Sequence, residues 1–376
     1  MIKIAFVIDT IESPTAGTEK QLLMLIKHMD RSKFLPYLCV LQTSEWLKKK
    51  FVDCQIIEVG VRSFRKPSSY LNILKFSTWL KNQNIDIVQT HFKDGNKVGV
   101  LAGRLAGVRT IVATRRNQGY WHNRREIQIL YILNKWVTSF LANSESTKRW
   151  VAKTEKIDTR LIKVIYNSLE IDHFYRGTAR QRADFREQLD FPGDAVIIGI
   201  VANLRPVKAI DHFLRAARIV SENCNEARFI IVGDGIERLA LETLCKELKI
   251  ESLVGFLGRQ INIPKILSCI DIGVLSSSSE SFSNSLIEYM AAELAVVCTD
   301  VGGVREVVED GLNGYVVEWG DVQGMAGRLT SIIRNGTYRK MGCEGKAKVF
   351  AMFSHMDVFF RYHQFYEELA RGSARN

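Results

Sequence analysis

Two carboxylates stand eight positions apart in Ser276-Ser-Ser-Ser-Glu280-Ser-Phe-Ser-Asn-Ser-Leu-Ile-Glu288. An apolar run ends at the serines and a helical pattern begins near Asn284. Glu280 therefore precedes a helix and Glu288 falls in its second turn. The first N–H groups of a helix have no partner within it, and its dipole is positive at that end, so the place suits an anion and a phosphate in particular. The two acids can reach different parts of an extended ligand, one near a sugar and one near a ribose. A second constellation, Val201-Ala-Asn-Leu-Arg205-Pro-Val-Lys208-Ala-Ile-Asp211, delivers two cations from one loop close to a helix start. Fixed Arg and Lys groups stabilise a diphosphate leaving group more as its bond breaks than before.

Other residues carry chemistry at the ends of apolar runs. Gly17 lies in Thr15-Ala-Gly-Thr-Glu19, after the first run and before a helical pattern. His91 closes Asp86-Ile-Val-Gln-Thr-His91, and Arg115-Arg116 follow Ile111-Val-Ala-Thr. Gly233 and Gly235 flank Asp234, and Gly302-Gly303 follow Ala295-Val-Val-Cys-Thr-Asp-Val.

Positioning these residues requires two alternations of strand and helix. In the first, strands are expected at Ile2–Asp9, Tyr37–Gln42, Gln55–Val59, Ile85–Thr90, Arg109–Thr114, Ser139–Asn143 and Ile162–Tyr166. Helices are expected at Glu19–Met29, Tyr70–Gln83, Lys97–Ala106, Tyr131–Ser139 and Ser146–Lys153. In the second, strands are expected at Val196–Ala202, Arg228–Val232, Leu253–Leu257, Ile272–Leu275, Ala295–Thr299 and Tyr315–Val317. Helices there are Ile210–Glu222, Glu237–Leu248, Pro264–Cys269 and Ser285–Ala292. The pattern is that of parallel α/β sheets, whose ligands sit at the carboxyl ends of the strands. The expected division is residues 1–172, a linker 173–194, a second domain 195–354 and a terminal helix and tail 355–376.

Composition fits this reading. The chain has 376 residues, 46% apolar and 25% charged, enough for two domains. There is no apolar run long enough for a spanning helix, and the N-terminal run reads as a buried strand rather than a signal peptide. Seven scattered cysteines without a CxxC pair suggest a reducing compartment, and a cytoplasmic protein is expected. Through Asp172 there are 28 Lys and Arg against 15 Asp and Glu; beyond it the numbers are 24 and 26. The basic first half, with Lys48–Lys50, Arg62, Arg65, Lys66, Arg115, Arg116, Arg124 and Arg125 among Trp46, Phe64, Tyr70, Tyr120 and Trp121, suits an anionic membrane surface.

The motifs together resemble family 4 retaining glycosyltransferases (glycosyltransferase group 1), which adopt the GT-B fold. Glu280 and Glu288 resemble the family's E-x7-E pair, and Ala295 to Glu306 and Asp310-Gly-x-Asn-Gly314 resemble its following motifs. Asn203 to Asp211 resembles "GRLxxxKGxD", with Asn203 at the usual arginine position and Ala209 in place of glycine. Val232-Gly233-Asp234-Gly235 resembles "VGDGPxR", and Asp86 to His91 resembles "DIVHTH". The resemblance implies two Rossmann-like domains facing a central cleft, with the C-terminal helix returning to the N-terminal domain. It implies a nucleotide-sugar donor, a UDP-sugar foremost, and a hexosyl-type transfer to a saccharide or lipid-linked saccharide hydroxyl with retention, as in surface polysaccharide assembly. Glu288 would bind the ribose, Glu280 the donor sugar, and the backbone of Ser281, Phe282, Ser283 and Asn284 the sugar hydroxyls and phosphate. Gly17, Gly233 and Gly235 would allow approach to the donor, Arg205 and Lys208 would hold the leaving group, and His91 would touch the donor sugar or acceptor. Arg115 and Arg116, where the family usually has a second histidine, hint at an anionic acceptor. No metal or other cofactor is expected. A nucleotide-sugar epimerase of the same fold would need an acid–base set not apparent here. A basic nucleic-acid-binding protein would leave the Glu280/Glu288 pair and the Arg205/Lys208 loop unexplained, and nucleic acid is not an expected partner.

Overall fold

The computed structural model describes residues 1–13, 17–117, 119 and 123–373, and the chain divides into two units. The first comprises residues 1–168 together with the chain from 356 onward, the second Leu169–His355.

In the first unit the strands are β1 (Ile2–Ile8), β2 (Phe34–Val40), β3 (Gln55–Glu58), β4 (Ile87–Thr90), β5 (Thr110–Arg115), β6 (Ser139–Ala142) and β7 (Ile162–Val164). They form one parallel sheet in the order β3-β2-β1-β4-β5-β6-β7. Between them run α1 (Gly17–Lys27), α2 (Glu45–Lys50), α3 (Pro67–Asn82), α4 (Lys93–Ala106), α5 (Arg124–Leu133) and α6 (Glu145–Glu155). Side chains alternate across a strand, so each strand feeds two cores. Ile4, Phe6 and Ile8 face α1 and α2, while Ala5 and Val7 face α3 and α4. Pro36 is tolerated inside β2 because pairing with β3 begins only at Tyr37.

The second unit carries α7 (Ala179–Gln188), β8 (Val196–Val201), α8 (Ile210–Asn223), β9 (Ala227–Val232), α9 (Arg238–Glu247), β10 (Val254–Gly258), α10 (Ile263–Leu267) and β11 (Ile272–Leu275). Then follow α11 (Asn284–Ala291), β12 (Ala295–Thr299), α12 (Val304–Val307), β13 (Gly314–Val317), α13 (Val322–Arg334) and α14 (Tyr338–Phe353). The sheet is again parallel, in the order β10-β9-β8-β11-β12-β13. The last helix, α15 (His355–Ser373), joins the first unit: Val358, Phe359, Tyr362, Phe365 and Tyr366 enter the core around Phe6 and Phe34.

The expected strands and most helices are present, with four differences. The segment 173–194, read as a linker, contains α7, and the unit boundary falls after Ser168 rather than at 172. α7 lacks an apolar stripe; it is started by a capping box between Thr178 and Gln181 and held by charge. Arg176, Arg182 and Arg186 converge on the buried Asp271, at 2.5, 3.5 and 3.2 Å. Helix α5 spans Arg124–Leu133, where Tyr131–Ser139 was expected; it starts early because Asn123 caps it by accepting from the Glu126 N–H at 3.0 Å. The short α2 and α12 and the long α13 and α14 were not anticipated.

Candidate functional site

In each sheet the strand order reverses at one point, between β1 and β4 in the first and between β8 and β11 in the second. The carboxyl ends of strands at such a point are where open α/β sheets bind ligands.

In the second unit, β8 runs into the Asn203–Lys208 loop and β11 into Ser276–Ser283, so the two constellations meet at the reversal. Lys208 Nζ lies 2.6 Å from Glu280 Oε1, with the side chains 24% and 13% exposed. Ser277 Oγ donates to the same carboxylate oxygen at 2.7 Å. The loops are stitched together by Ser276 Oγ donating to Lys208 O at 2.8 Å and by the Ser278 N–H donating to Val207 O at 2.9 Å. Below them, Thr299 Oγ1 donates to Ser277 O at 2.7 Å. Gly302, at φ +55°, lies directly against Glu280 O, where a Cβ would collide with the backbone. Its neighbour Gly303 donates to Ser281 O at 3.1 Å. A Gly-Gly turn thus sets the height of the Glu280–Ser281 backbone.

Helix α11 begins as expected, with Ser283 as N-cap accepting from Leu286 N–H at 3.3 Å. Glu288 is half-buried on it. The Phe282 ring does not face outward; it is buried against Phe353 at 5.5 Å between centroids, so only its backbone could serve a ligand. Gly233 and Gly235 are likewise used within the unit. A Cβ on either would strike the carbonyl of Ala202 or Leu204. They let the 202–204 loop lie on the 233–235 loop, and Leu204 N–H donates to Asp234 O at 3.0 Å. Arg205 projects into solvent with no side-chain partner among the described residues. Ala209, where the family pattern has glycine, holds φ +44°, the left-handed conformation that glycine would adopt without strain. Sequence reading missed Tyr289: its buried hydroxyl accepts from Val201 N–H at 2.7 Å, tying α11 to the end of β8, and its ring lies on Gly273.

The first unit treats its polar residues differently. His91 is buried, with Nδ1 3.2 Å from Thr114 Oγ1 and Nε2 3.2 Å from Gln89 Nε2. Thr114 donates its one hydroxyl hydrogen to Thr90 O at 2.6 Å. His91 Nδ1 must therefore carry the proton and Nε2 must accept from Gln89, whose Oε1 takes the Tyr366 hydroxyl at 2.8 Å. Burial, with Arg116 adding to it, pushes the imidazole down to about 3. Both ring nitrogens are occupied, so His91 stands as a neutral interior histidine rather than at an open strand end. Arg115 is buried too: Nε and Nη2 clasp the Glu155 carboxylate at 2.7 and 2.8 Å, and Nη2 also reaches Asn134 at 3.1 Å. The acceptor contact expected of Arg115 is replaced by this ion pair. Arg116 is half-buried, donating to Asn167 at 2.7 Å and to the Tyr362 hydroxyl at 2.8 Å. Gly17 is the exposed first residue of α1; Thr15 and Ala16, Tyr120 and Trp121 lie outside the described residues.

Three residues at this reversal were not singled out from sequence. Asp9 directly follows β1 and accepts from the Gly95 N–H in the first turn of α4. Burial, reinforced by Asp94, raises its carboxyl to about 6. Phe92, the N-cap of α4, takes φ 57° and ψ −176°, a region that costs a non-glycine residue about 1–3 kcal/mol. Asn96 is buried, its Oδ1 accepting from Thr90 at 2.8 Å and its Nδ2 without a partner. Phe92 and Asn96 line a narrow pocket with Thr18, Thr114, Arg116 and Asn117. An acid closing the first strand was the available signal for Asp9; nothing in the local sequence marks Phe92 or Asn96. Among the described residues no group of three or more His, Cys, Asp and Glu could hold a metal, and no helix is long and apolar enough to cross a membrane.

Two sheets with this order and this site define a two-domain α/β protein of the GT-B type. Residues 15–173 match the model of Glycosyltransferase Family 4, and residues 181–348 that of Glycosyl transferases group 1. The chain belongs to this family of glycosyltransferases. It is 30% identical over 212 residues to the N-acetyl-alpha-D-glucosaminyl L-malate synthase of Bacillus anthracis, covering 56% of this chain and 54% of that one, so it spans about half of that relative. It is 25% identical over 298 residues to the UDP-Gal:alpha-D-GlcNAc-diphosphoundecaprenol alpha-1,3-galactosyltransferase of Escherichia coli, covering 73% and 76%. Anabaena HepE, solved in complex with UDP, shares the fold with a TM-score of 0.85 at 20% identity, covering 98% of this chain and 100% of that one.

Proposed function

We propose that the protein transfers a hexosyl group from a nucleotide-sugar donor, a UDP-sugar, to an acceptor hydroxyl with retention at the anomeric carbon. The observation that carries this reading is the Lys208–Glu280 contact of 2.6 Å at the reversal of the second sheet. A cation for the diphosphate and a carboxylate for the sugar stand within the length of one donor. Glu288, on the helix that Ser283 caps, takes the ribose hydroxyls. As the bond from the anomeric carbon to the phosphate oxygen breaks, negative charge grows on the diphosphate, and Lys208 and Arg205 stabilise it. The acceptor oxygen attacks from the same face, and its proton passes to the departing phosphate oxygen. These two cations fill the charge-neutralising role, so the reading calls for no metal or other cofactor.

The HepE complex with UDP and the E. coli relative's UDP-Gal support the choice of base. The relatives' names point to anionic acceptors, L-malate in one and a sugar diphosphate lipid in the other, in keeping with the basic first half. We take the acceptor to be a lipid-linked saccharide met at a cytoplasmic, anionic membrane surface in polysaccharide assembly. A thermal-shift screen of nucleotide sugars finds the donor. NMR of the first product then reads the anomeric configuration: retention is expected, and inversion contradicts the same-face route.

A further inference from the structure

The basic clusters of the first half do not share one surface. Lys48, Lys49 and Lys50 close α2, on the side of the sheet that α1 and α15 also cover, and Lys48 and Lys49 both pair with Glu45 at 3.3 Å. Arg115 and Arg116 are engaged inside the unit. The remaining clusters lie on the opposite side, where α3 and α5 flank α4.

That side combines cations with apolar side chains left in water. On α5 and the turn after it, Ile129, Tyr131, Ile132 and Trp136 are 39, 54, 55 and 37% exposed; on α3, Tyr70, Leu71 and Leu74 are 54, 60 and 52% exposed. Arg125, Ile129 and Ile132 fall at i, i+4 and i+7, one stripe of the helix, while Leu130 and Leu133 face the core. Arg124, Arg125 and Lys135 surround the first patch, and Arg65, Lys66 and Lys75 the second; all are exposed, and none forms an ion pair among the described residues. Helix α3 contains no acidic residue, and the one on α5, Glu126, is taken by Lys93 and Lys97 at 2.8 Å each. An apolar stripe bordered by unneutralised cations is complementary to a bilayer with anionic headgroups.

We propose that the outer face of α3 and α5 docks on an anionic lipid bilayer, with Ile129, Ile132, Trp136, Leu71 and Leu74 entering the headgroup region and the flanking arginines and lysines on the lipid phosphates. This names the membrane-facing surface for the lipid-linked acceptor and rests on that reading of function. Its test is sedimentation of the full chain with phosphatidylglycerol–phosphatidylcholine vesicles and with phosphatidylcholine alone, at low and high salt. At about 1 kcal/mol per cation near such a surface, Arg124→Ala with Arg125→Ala should weaken partitioning to the anionic vesicles about 30-fold. Ile129→Ser with Ile132→Ser should weaken it at least tenfold, and Lys48→Ala with Lys49→Ala should leave it unchanged. Salt-independent partitioning, equal loss in the Lys48/Lys49 variant, or no loss in the other two overturns the proposal. So does a self-association that the isoleucine variant abolishes, which assigns the face to a second copy. The UDP thermal shift of each variant, taken without vesicles, reports folding and keeps the two readings apart: docking can fail while nucleotide binding stands.

Discussion

The two sheets reverse strand order in the same way, yet their polar residues at the reversal do opposite work. In the second unit the charges sit on loops, with Lys208 and Glu280 partly open and Arg205 in solvent. In the first, His91 and Arg115 have turned inward, and their hydrogen-bonding groups hold β4, β5 and α6 together. A shared topology fixes where a ligand can lie but not which residues are left to meet it. At the second reversal charge faces outward, while the edge at the first carries Asp9, Phe92, Asn96 and the half-buried Arg116.

The sharpest way to break this contrast is at Arg115. Arg115→Ala leaves the fully buried Glu155 carboxylate without its cation and should destabilise the protein by about 3–5 kcal/mol in urea unfolding. Arg115→Leu combined with Glu155→Leu should recover most of that loss and keep transferase activity. A stable but inactive double variant would return Arg115 to the acceptor site.

Asp9 supplies a smaller, pH-dependent effect. Its carboxyl rises from 3.8 in the unfolded chain to about 6 in the fold, so the folded state is favoured while Asp9 is protonated and loses ground as pH climbs through 6. Asp9→Asn should therefore match the parent near pH 4 and exceed it above pH 6, by up to about 3 kcal/mol. His91 runs the other way: its depressed value gives stability above 6.5 that is lost as pH falls toward 3. An Asp9→Asn difference that does not change with pH would show that the carboxyl is not held as described. The smallest change is Ala209→Gly, which relieves the left-handed φ beside Lys208 and should add up to about 1 kcal/mol; a loss of stability there would mean the loop does not need that conformation.

Much of this was legible in sequence where one rule dominates. Continuous apolar runs such as Val196–Val201 marked the strands, and the polar serine run before Asn284 marked the start of α11. What escaped depended on partners distant in the chain. α7 is held by Asp271, some 85 residues or more from its arginines, so no local apolar period announced it. Arg115 reads as a surface cation until Glu155, 40 residues on, is seen to clasp it. Phe282, Gly233 and Gly235 occur in motifs associated with a ligand, yet their side chains, or lack of them, answer to packing within the unit.

The central claim, that the nucleotide is held at the second reversal, is tested most directly by titrating UDP calorimetrically into the parent, Glu288→Ala and Arg116→Ala proteins. Glu288→Ala should lose at least tenfold in affinity and Arg116→Ala should not change. Undiminished UDP binding by Glu288→Ala, with loss in Arg116→Ala, would contradict it.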